Sequence, residues 1–418
     1  MNKRTFAWVV WGLAAGFYLS DYLARVAPGV MHRYLQIDFG INEAGFGILV
    51  ASFYFPYILM QIPVGLAVDR MSVRRLLTVM SLFTALGCCV FGLASTLTIA
   101  AFGRIIIGFS AAFGFVSALR LATAWFPPEM LGLLSGLTQA LGMLGAAAGE
   151  APVSFLVSAI GWRHSMLVIA SLFILLALLI YRFVQDRPGP RAVAVVHEAP
   201  GILGSLRMIL SSRLAWINAL YAGFLFVPSA VIGESIGPAY LQFGHGIDAH
   251  AAAFATGLIF IGWGIGGPLS GWLSDRLGRR RPLMIASALC GMVLSALFVF
   301  MPNLGEGSAY LLFLLFGLTN TGVAIAYAVS TEIHPRGVIG TSIAFTNMIS
   351  IFVGALMQPL VGHLVDISAG ARSMNLEQLT LADFQAGLWL LPVCSGVALL
   401  LSFCVRETFC TPVHEEKS

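Results

Sequence analysis

The sequence predicts an all-α polytopic membrane protein: twelve transmembrane helices in two six-helix bundles related by a parallel pseudo-two-fold repeat. Three observations predict it. The 418 residues are 58% hydrophobic and only 10% charged, with a mean hydropathy of +0.89, whereas a soluble chain carries about 25% charged residues. No soluble core of this size could hide so much apolar surface. Apolar runs of about 20 residues or more recur along the chain, the length a helix needs to cross the hydrocarbon of a bilayer. Short stretches of the first half also return, in register, in the second.

The apolar runs fall at 6–33, 44–68, 76–95, 98–125, 131–158, 164–184, 213–241, 251–274, 282–301, 308–332, 338–366 and 384–405. They are continuous rather than alternating, which selects helices over barrel strands, and a helix satisfies its own backbone groups in lipid. The longest polar interruption, 181–207, holds Pro188, Pro190 and Pro200 among mixed charges and reads as a linker. The expected organisation is a first bundle (1–185), a linker (186–210), a second bundle (211–407) and a tail (408–418). If the spans alternate, Arg70, Arg74, Arg75, Arg182, Arg207, Arg276, Arg279 and Arg336 share one side with both termini, and Arg33, Arg163 and Arg372 take the other. The excess of Lys and Arg makes the termini and linker cytoplasmic. The first run has no small-residue cleavage site, so a cleavable signal peptide is not expected. The six cysteines show neither metal spacing nor a disulfide framework.

The repeat is specific. Tyr34-Leu35-Gln36 recurs as Tyr240-Leu241-Gln242, Gly40-Ile41 as Gly246-Ile247, and Gly65 with Asp69-Arg70 as Gly271 with Asp275-Arg276, all at one spacing. Gly114, Pro127, Gly132 and Thr138 recur as Gly322, Pro335, Gly340 and Thr346 at a slightly longer one. An even number of spans per half gives both halves the same orientation. Such a parallel repeat builds two bundles around a central path, with binding near the midplane.

Within this repeat, GLAVDRMSVRR (65–75) and GWLSDRLGRRR (271–281) resemble the signature loop of the major facilitator superfamily, which lies between the second and third helices and again between the eighth and ninth. The first copy departs, with Ser72 where Gly is usual and Val73 where a basic residue is usual. The resemblance covers the whole chain and implies alternating access by rocking of the two bundles. It also implies that Gly65, Asp69, Arg70, Gly271, Asp275, Arg276 and Gly278 form a conformational latch. The competing reading is a plain positive-inside loop, and the outer arginines read as topology signals.

Charges within the spans mark the candidate site, because ionisable groups in a bilayer core cost several kcal/mol and face the protein interior. Asp21 and Arg25 are spaced i, i+4 and can pair; Tyr18 and Tyr22 form an adjacent stripe, and Pro28 and Gly29 can bend the helix beyond. An arginine suits a bound carboxylate or phosphate, which its planar fork holds bidentately. Tyr22-Leu23-Ala24-Arg25 resembles the first-helix Tyr-Leu-x-Arg of organic-phosphate antiporters, although the seventh helix offers Glu234, among Gly233, Gly237 and Pro238, where they carry a basic residue. A purely structural Asp21–Arg25 pair is the alternative. Glu150 has Gln358 as its repeat mate, an acid against an amide. Asp21, Glu150 and Glu234 are therefore the proton-coupling candidates. Arg104, in RIIIG, is placed to reach Glu150. Gln139, Asn320, Tyr327, Asn347 and Gln358 are candidate substrate contacts, or simply interhelical hydrogen bonds.

Gly142, Gly145 and Gly149 permit close helix packing, but Ala146 stands where drug–proton antiporters carry proline. There is no phosphate-binding Gly-x-x-x-x-Gly-Lys-Ser/Thr. No cofactor, metal, nucleotide or nucleic acid is expected; the partners are a small-molecule substrate, protons and the lipid bilayer, and no oligomer is required. The implied function is that of a secondary active transporter, not an enzyme, in a bacterial inner membrane. It would take up a small organic anion or zwitterion (carboxylate, amino acid or short peptide) with protons; an exporter, antiporter or uniporter of the same superfamily is the alternative.

Overall fold

The computed structural model describes residues 3–126, 130–186, 202–335 and 338–410. Its regular structure there is helical throughout. Ten stretches are long and apolar enough to cross a membrane. One of them, Leu134–Phe183, is two spans: helical hydrogen bonding runs on past Gly161, whose φ of 78° belongs to the left-handed side of backbone space and turns the chain there. The first helix, Lys3–Val26, is the remaining span; Tyr18, Asp21, Tyr22 and Arg25 make it the least apolar of the set. The result is twelve transmembrane helices.

Their boundaries follow from local chemistry. Asn42 accepts from the amide of Gly45 at the start of the second helix, and Thr96 from Ile99 at the start of the fourth. Ser212 caps the seventh helix, Arg213–Gly244, and Asp248 the eighth, Ala249–Leu277. Each places an acceptor on otherwise unsatisfied first-turn amides. Ser72, the departure in the signature loop, is such a cap: its hydroxyl accepts from the amide of Arg75 and opens the third helix, Val73–Gly92. Gly278 ends the eighth helix in the left-handed conformation, at φ 61°.

Inside each half, small residues let helix backbones touch. On the fifth helix, a Cβ at Gly145 would lie 1.9 Å from the carbonyl oxygen of Leu19, and one at Gly149 would lie 2.8 Å from that of Leu23. Gly142 packs on the Tyr18 ring. The glycine stretch thus seats the fifth helix directly on the first. In the second half the same device joins the eighth and tenth helices, where Gly317 abuts the carbonyl of Ile259. Leu82, Leu86, Leu175, Leu178, Ile265, Leu269, Val293 and Leu400 remain exposed on the outer surface, an apolar coat suited to lipid.

Gly145→Val is expected to separate the first and fifth helices, because a backbone carbonyl cannot move aside as a side chain does. Detergent-solubilised protein should lose stability by about 1–3 kcal/mol or more in thermal unfolding. Gly136→Ala, a position with open space around it, should be close to neutral.

Candidate substrate site and gate

The site begins with a missing donor. Pro28 has no N–H, so the helical bond it would give to the carbonyl four residues back, that of Ala24, cannot form. The first helix stops at Val26 and continues as a 3₁₀ turn, Ala27–Met31. Arg104, wholly buried on the fourth helix, fills the gap: Nη1 donates to the Ala24 carbonyl at 3.2 Å and Nη2 to that of Arg25 at 3.2 Å, with a longer bond to Val50 at 3.4 Å. The expected Arg104–Glu150 contact is therefore not made. Backbone carbonyls freed at the helix end claim the guanidinium instead.

The expected Asp21–Arg25 pair is not made either. Arg25 reaches across to the second half, where Nη2 lies 2.9 Å from Glu234 Oε1. Its Nε donates to the Tyr54 hydroxyl at 3.2 Å, and that hydroxyl donates to Glu234 Oε2. Arg25 and Glu234 are both 2% exposed. Asp21 is as deeply buried, and its Oδ1 has no hydrogen-bond partner among the described residues. The i, i+4 spacing permitted an intrahelical pair; the long arginine side chain finds a better-placed acid on another helix.

Glu234 is presented by irregular helix. Residues Ser229–Ile236 are wound as a π-helix, and Tyr240–Gly244 again. Wider turns shift the backbone pairing and are a frequent accompaniment of functional sites. Neighbouring amides take up carbonyls along this stretch: Asn320 Nδ2 donates to Leu225 at 3.0 Å, and Gln358 Nε2 to Ala230 at 3.1 Å. Both amides are buried and engaged with the seventh-helix backbone, so the structure gives them a supporting position behind Glu234.

Rings enclose the Arg25 guanidinium, with centroids of Tyr54 at 4.8 Å, Tyr22 at 4.9 Å, Phe53 at 5.7 Å and Tyr57 at 6.0 Å. Such faces favour a cation electrostatically. Toward the opposite end of the bundle the polar lining continues. The Tyr18 hydroxyl donates to Gln139 at 3.2 Å and lies 3.4 Å from that of Tyr22. Tyr327 donates to Asn347 at 2.8 Å, and Asn347 to Gln61 of the first half at 3.3 Å. The structure thus brings Tyr18, Tyr22, Arg25, Glu234 and Gln139 into one neighbourhood with Tyr327 and Asn347. It adds Tyr54, Tyr57 and Gln61, which sequence reasoning passed over; the polar side chains recurring along an otherwise apolar second helix, YFPYILMQ, were the available signal.

Glu150 is fully buried where the halves meet. A Cβ on Gly29 would lie 3.5 Å from its Oε1, and one on Gly257 of the eighth helix 3.5 Å from its Cβ. Neither carboxyl oxygen has a hydrogen-bond partner among the described residues.

At one end the two halves are shut against each other. Asp366, on the eleventh helix, accepts from the first amides of the second helix, Glu43 N at 3.0 Å and Ala44 N at 2.9 Å. A carboxylate there also suits the positive end of the helix dipole. A Cβ at Gly362 would lie 2.4 Å from the Glu43 carbonyl oxygen, and one at Gly47 would lie 2.7 Å from Pro359 Cα, so the contact is backbone on backbone. Gln36 donates to Glu43 at 3.0 Å and accepts from Leu376 N at 3.1 Å. His32 stacks on Phe46, and Arg33 pairs with Glu377. None of this gate was anticipated, because it joins residues far apart in the chain.

The second signature loop is a staple within its own half. Arg280 Nη1 bonds Asp275 at 2.6 Å, and Nη2 bonds Glu332 of the tenth helix at 2.7 Å. Glu407 accepts from the amides of Arg280 at 2.8 Å and Arg281 at 3.1 Å. Arg280, read as a topology signal, is in fact the hub. Arg276 lies over the Trp272 ring, and Gly271 has open space beside it. The side-chain positions of Gly65, Asp69 and Arg70 in the first copy lie outside the described residues.

The sequence matches the Major Facilitator Superfamily over residues 10–356. The chain belongs to this superfamily. It is 26% identical to a probable sulfoacetate transporter of Cupriavidus necator, over 65% of this chain and 66% of that protein. It is 24% identical to a hexuronate transporter of Bacillus subtilis, over 83% and 85%. Its fold is that of a bacterial homologue of the human lysosomal transporter Spinster in an inward-facing, occupied conformation, at a TM-score of 0.77 and 16% identity over 95% of this chain and 96% of that one. This superfamily protein is a multi-pass membrane transporter.

Asp366→Ala should weaken the shut end by about 1–2 kcal/mol, a roughly five- to thirtyfold shift toward opening. Cross-linking between cysteines placed at Arg33 and Glu377 is expected to fall accordingly; unchanged cross-linking would remove Asp366 from the gate.

Proposed function

We propose that this protein carries small organic anions into a bacterial cell, driven by protons, with Arg25 as the anion-binding group. The observation that carries this reading is a buried guanidinium set in an aromatic enclosure between the two bundles and joined to an acid of the opposite half. A fixed, always-charged fork suits a carboxylate or sulfonate. The relatives named above are a probable sulfoacetate transporter and a hexuronate transporter; both named substrates are anions, which favours an anion over a zwitterion. Tyr22, Tyr57, Gln61, Gln139, Tyr327 and Asn347 would supply the neutral hydrogen bonds for the rest of the substrate, and their side chains retain partial exposure or line the same neighbourhood.

The shut end carries the loop after the first helix, which the arginine distribution assigns to the outside. The conformation is then the one facing the cytoplasm. Glu150 is the proton carrier in this reading. A carboxyl wholly buried without partners is expensive as an ion, so it crosses as the neutral acid; separation of the halves would admit water and release its proton. Asp21, on the same face of the first helix as Arg25, and Glu234 are the other candidates.

Arg25→Ala is expected to abolish uptake of sulfoacetate and D-glucuronate into proteoliposomes, with Arg25→Lys retaining a small fraction because a point charge replaces the fork. Full uptake by Arg25→Ala would overturn the assignment. In Glu150→Gln, uptake driven by an imposed proton gradient should fall while exchange of internal for external anion continues. Undiminished accumulation would make Glu150 structural.

A further inference from the structure

An anion carrier of this kind faces a physical problem on its empty return stroke. Closing both ends around an unpaired guanidinium would strand a charge in a low-dielectric interior. The structure holds a device that meets the problem. Glu234 occupies Arg25 directly, Nη2 to Oε1 at 2.9 Å, and both groups are buried. Tyr54 closes a three-membered network by accepting from Arg25 Nε at 3.2 Å and donating to Glu234 Oε2. The acid comes from the second bundle and the base from the first, so the pair spans the path rather than bracing one wall. It also sits inside the ring enclosure formed by Tyr22, Phe53, Tyr54 and Tyr57, where the anionic group of a substrate would have to lie. The π-helical winding around Glu234, with Gly233 before it and Gly237 and Pro238 after, is backbone able to reposition the carboxylate.

We propose that Glu234 is a built-in surrogate for the substrate's anionic group: it occupies Arg25 in the empty carrier, is displaced when substrate binds, and thereby makes the protein a net transporter instead of an obligate exchanger. This rests on the assignment of Arg25 as the anion site. The surrogate and the substrate compete for one guanidinium, and the displaced Glu234 takes up a proton, so the empty and loaded carriers present the same charge balance to the interior. Both can then pass through the occluded state. Without the surrogate, only the loaded carrier could.

The test separates this inference from the anion reading by measuring alternation without substrate. Fluorescent labels are placed at Ile37 and Met374, exposed on the two bundles at the shut end, in the full chain freed of its native cysteines. Single-molecule distance traces are recorded without added anion. Wild type should alternate. Glu234→Gln should alternate more slowly by about tenfold or more, the least that an orphaned buried charge is expected to produce. Arg25→Gln/Glu234→Gln, which removes both charges, should alternate again, and Glu234→Asp should approach wild type. Should Glu234→Gln alone fail to fold, the double variant and Glu234→Asp still decide: both folding and alternating supports the pairing, and a folded double variant that does not alternate overturns it. Equal empty-carrier rates in wild type and Glu234→Gln also overturn it. In transport, Glu234→Gln should keep sulfoacetate or D-glucuronate exchange but lose net uptake by about tenfold or more; loss of both modes equally counts against the surrogate. If wild type neither binds nor moves either anion while the alternation results hold, the anion assignment fails and the charge-balancing role of Glu234 stands.

Discussion

A single absent hydrogen, the amide proton that Pro28 does not have, organises the centre of this molecule. It leaves the end of the first helix with carbonyls to satisfy, and in a membrane-embedded interior a vacant acceptor must find a donor within the protein. Arg104 supplies it. Because Arg104 is tied to the backbone of Ala24 and Arg25, it fixes the place from which the Arg25 side chain departs, and that side chain then bridges to the second half. The glycines of the fifth helix add the steric counterpart, pressing its backbone onto Leu19 and Leu23. The pose of the cross-bundle ion pair at the site is thus set by backbone chemistry two helices deep.

Much of the fold was legible because bilayer crossing writes itself in long runs of apolar residues, and the repeat of short motifs exposed the two-bundle plan. The residues of the candidate site stood out as a set for a related reason: charge inside a span has few innocent explanations. Their partnerships did not. Asp21 and Arg25 are four apart, which on a helix means adjacency, yet Arg25 pairs with Glu234. Arg104 was expected to reach Glu150 and instead serves carbonyls. In both cases sequence spacing constrains only neighbours on one helix, while the choice among acceptors depends on interhelical distances that no local pattern encodes. Arg280 shows the same limit from the other direction: among a run of loop arginines that bias topology, one is drawn in by Glu332, a residue more than fifty positions away.

The two halves share a plan and divide labour. Glu150 and Gln358 are repeat mates. The amide supports the π-helical seventh helix through the Ala230 carbonyl, whereas the acid stands without a hydrogen-bond partner among the described residues, against Gly29 and Gly257. The seventh helix, repeat mate of the first, carries an acid, Glu234, and the first carries a base, Arg25. The repeat supplies two similar scaffolds, and opposite charge on corresponding helices joins them through an ion pair at the candidate site.

Glu407 and Thr408 lie beyond the twelfth helix, yet Glu407 caps the ninth and Thr408 bonds Glu332 of the tenth. During synthesis the chain enters the membrane from its beginning, so the ninth and tenth helices are inserted long before these two residues emerge. Until then the first amides of the ninth helix have no acid to receive them. The loop end of the second bundle is therefore finished last and all at once, which makes its assembly a checkpoint on the whole polypeptide and a vulnerable point for any alteration just after the final span.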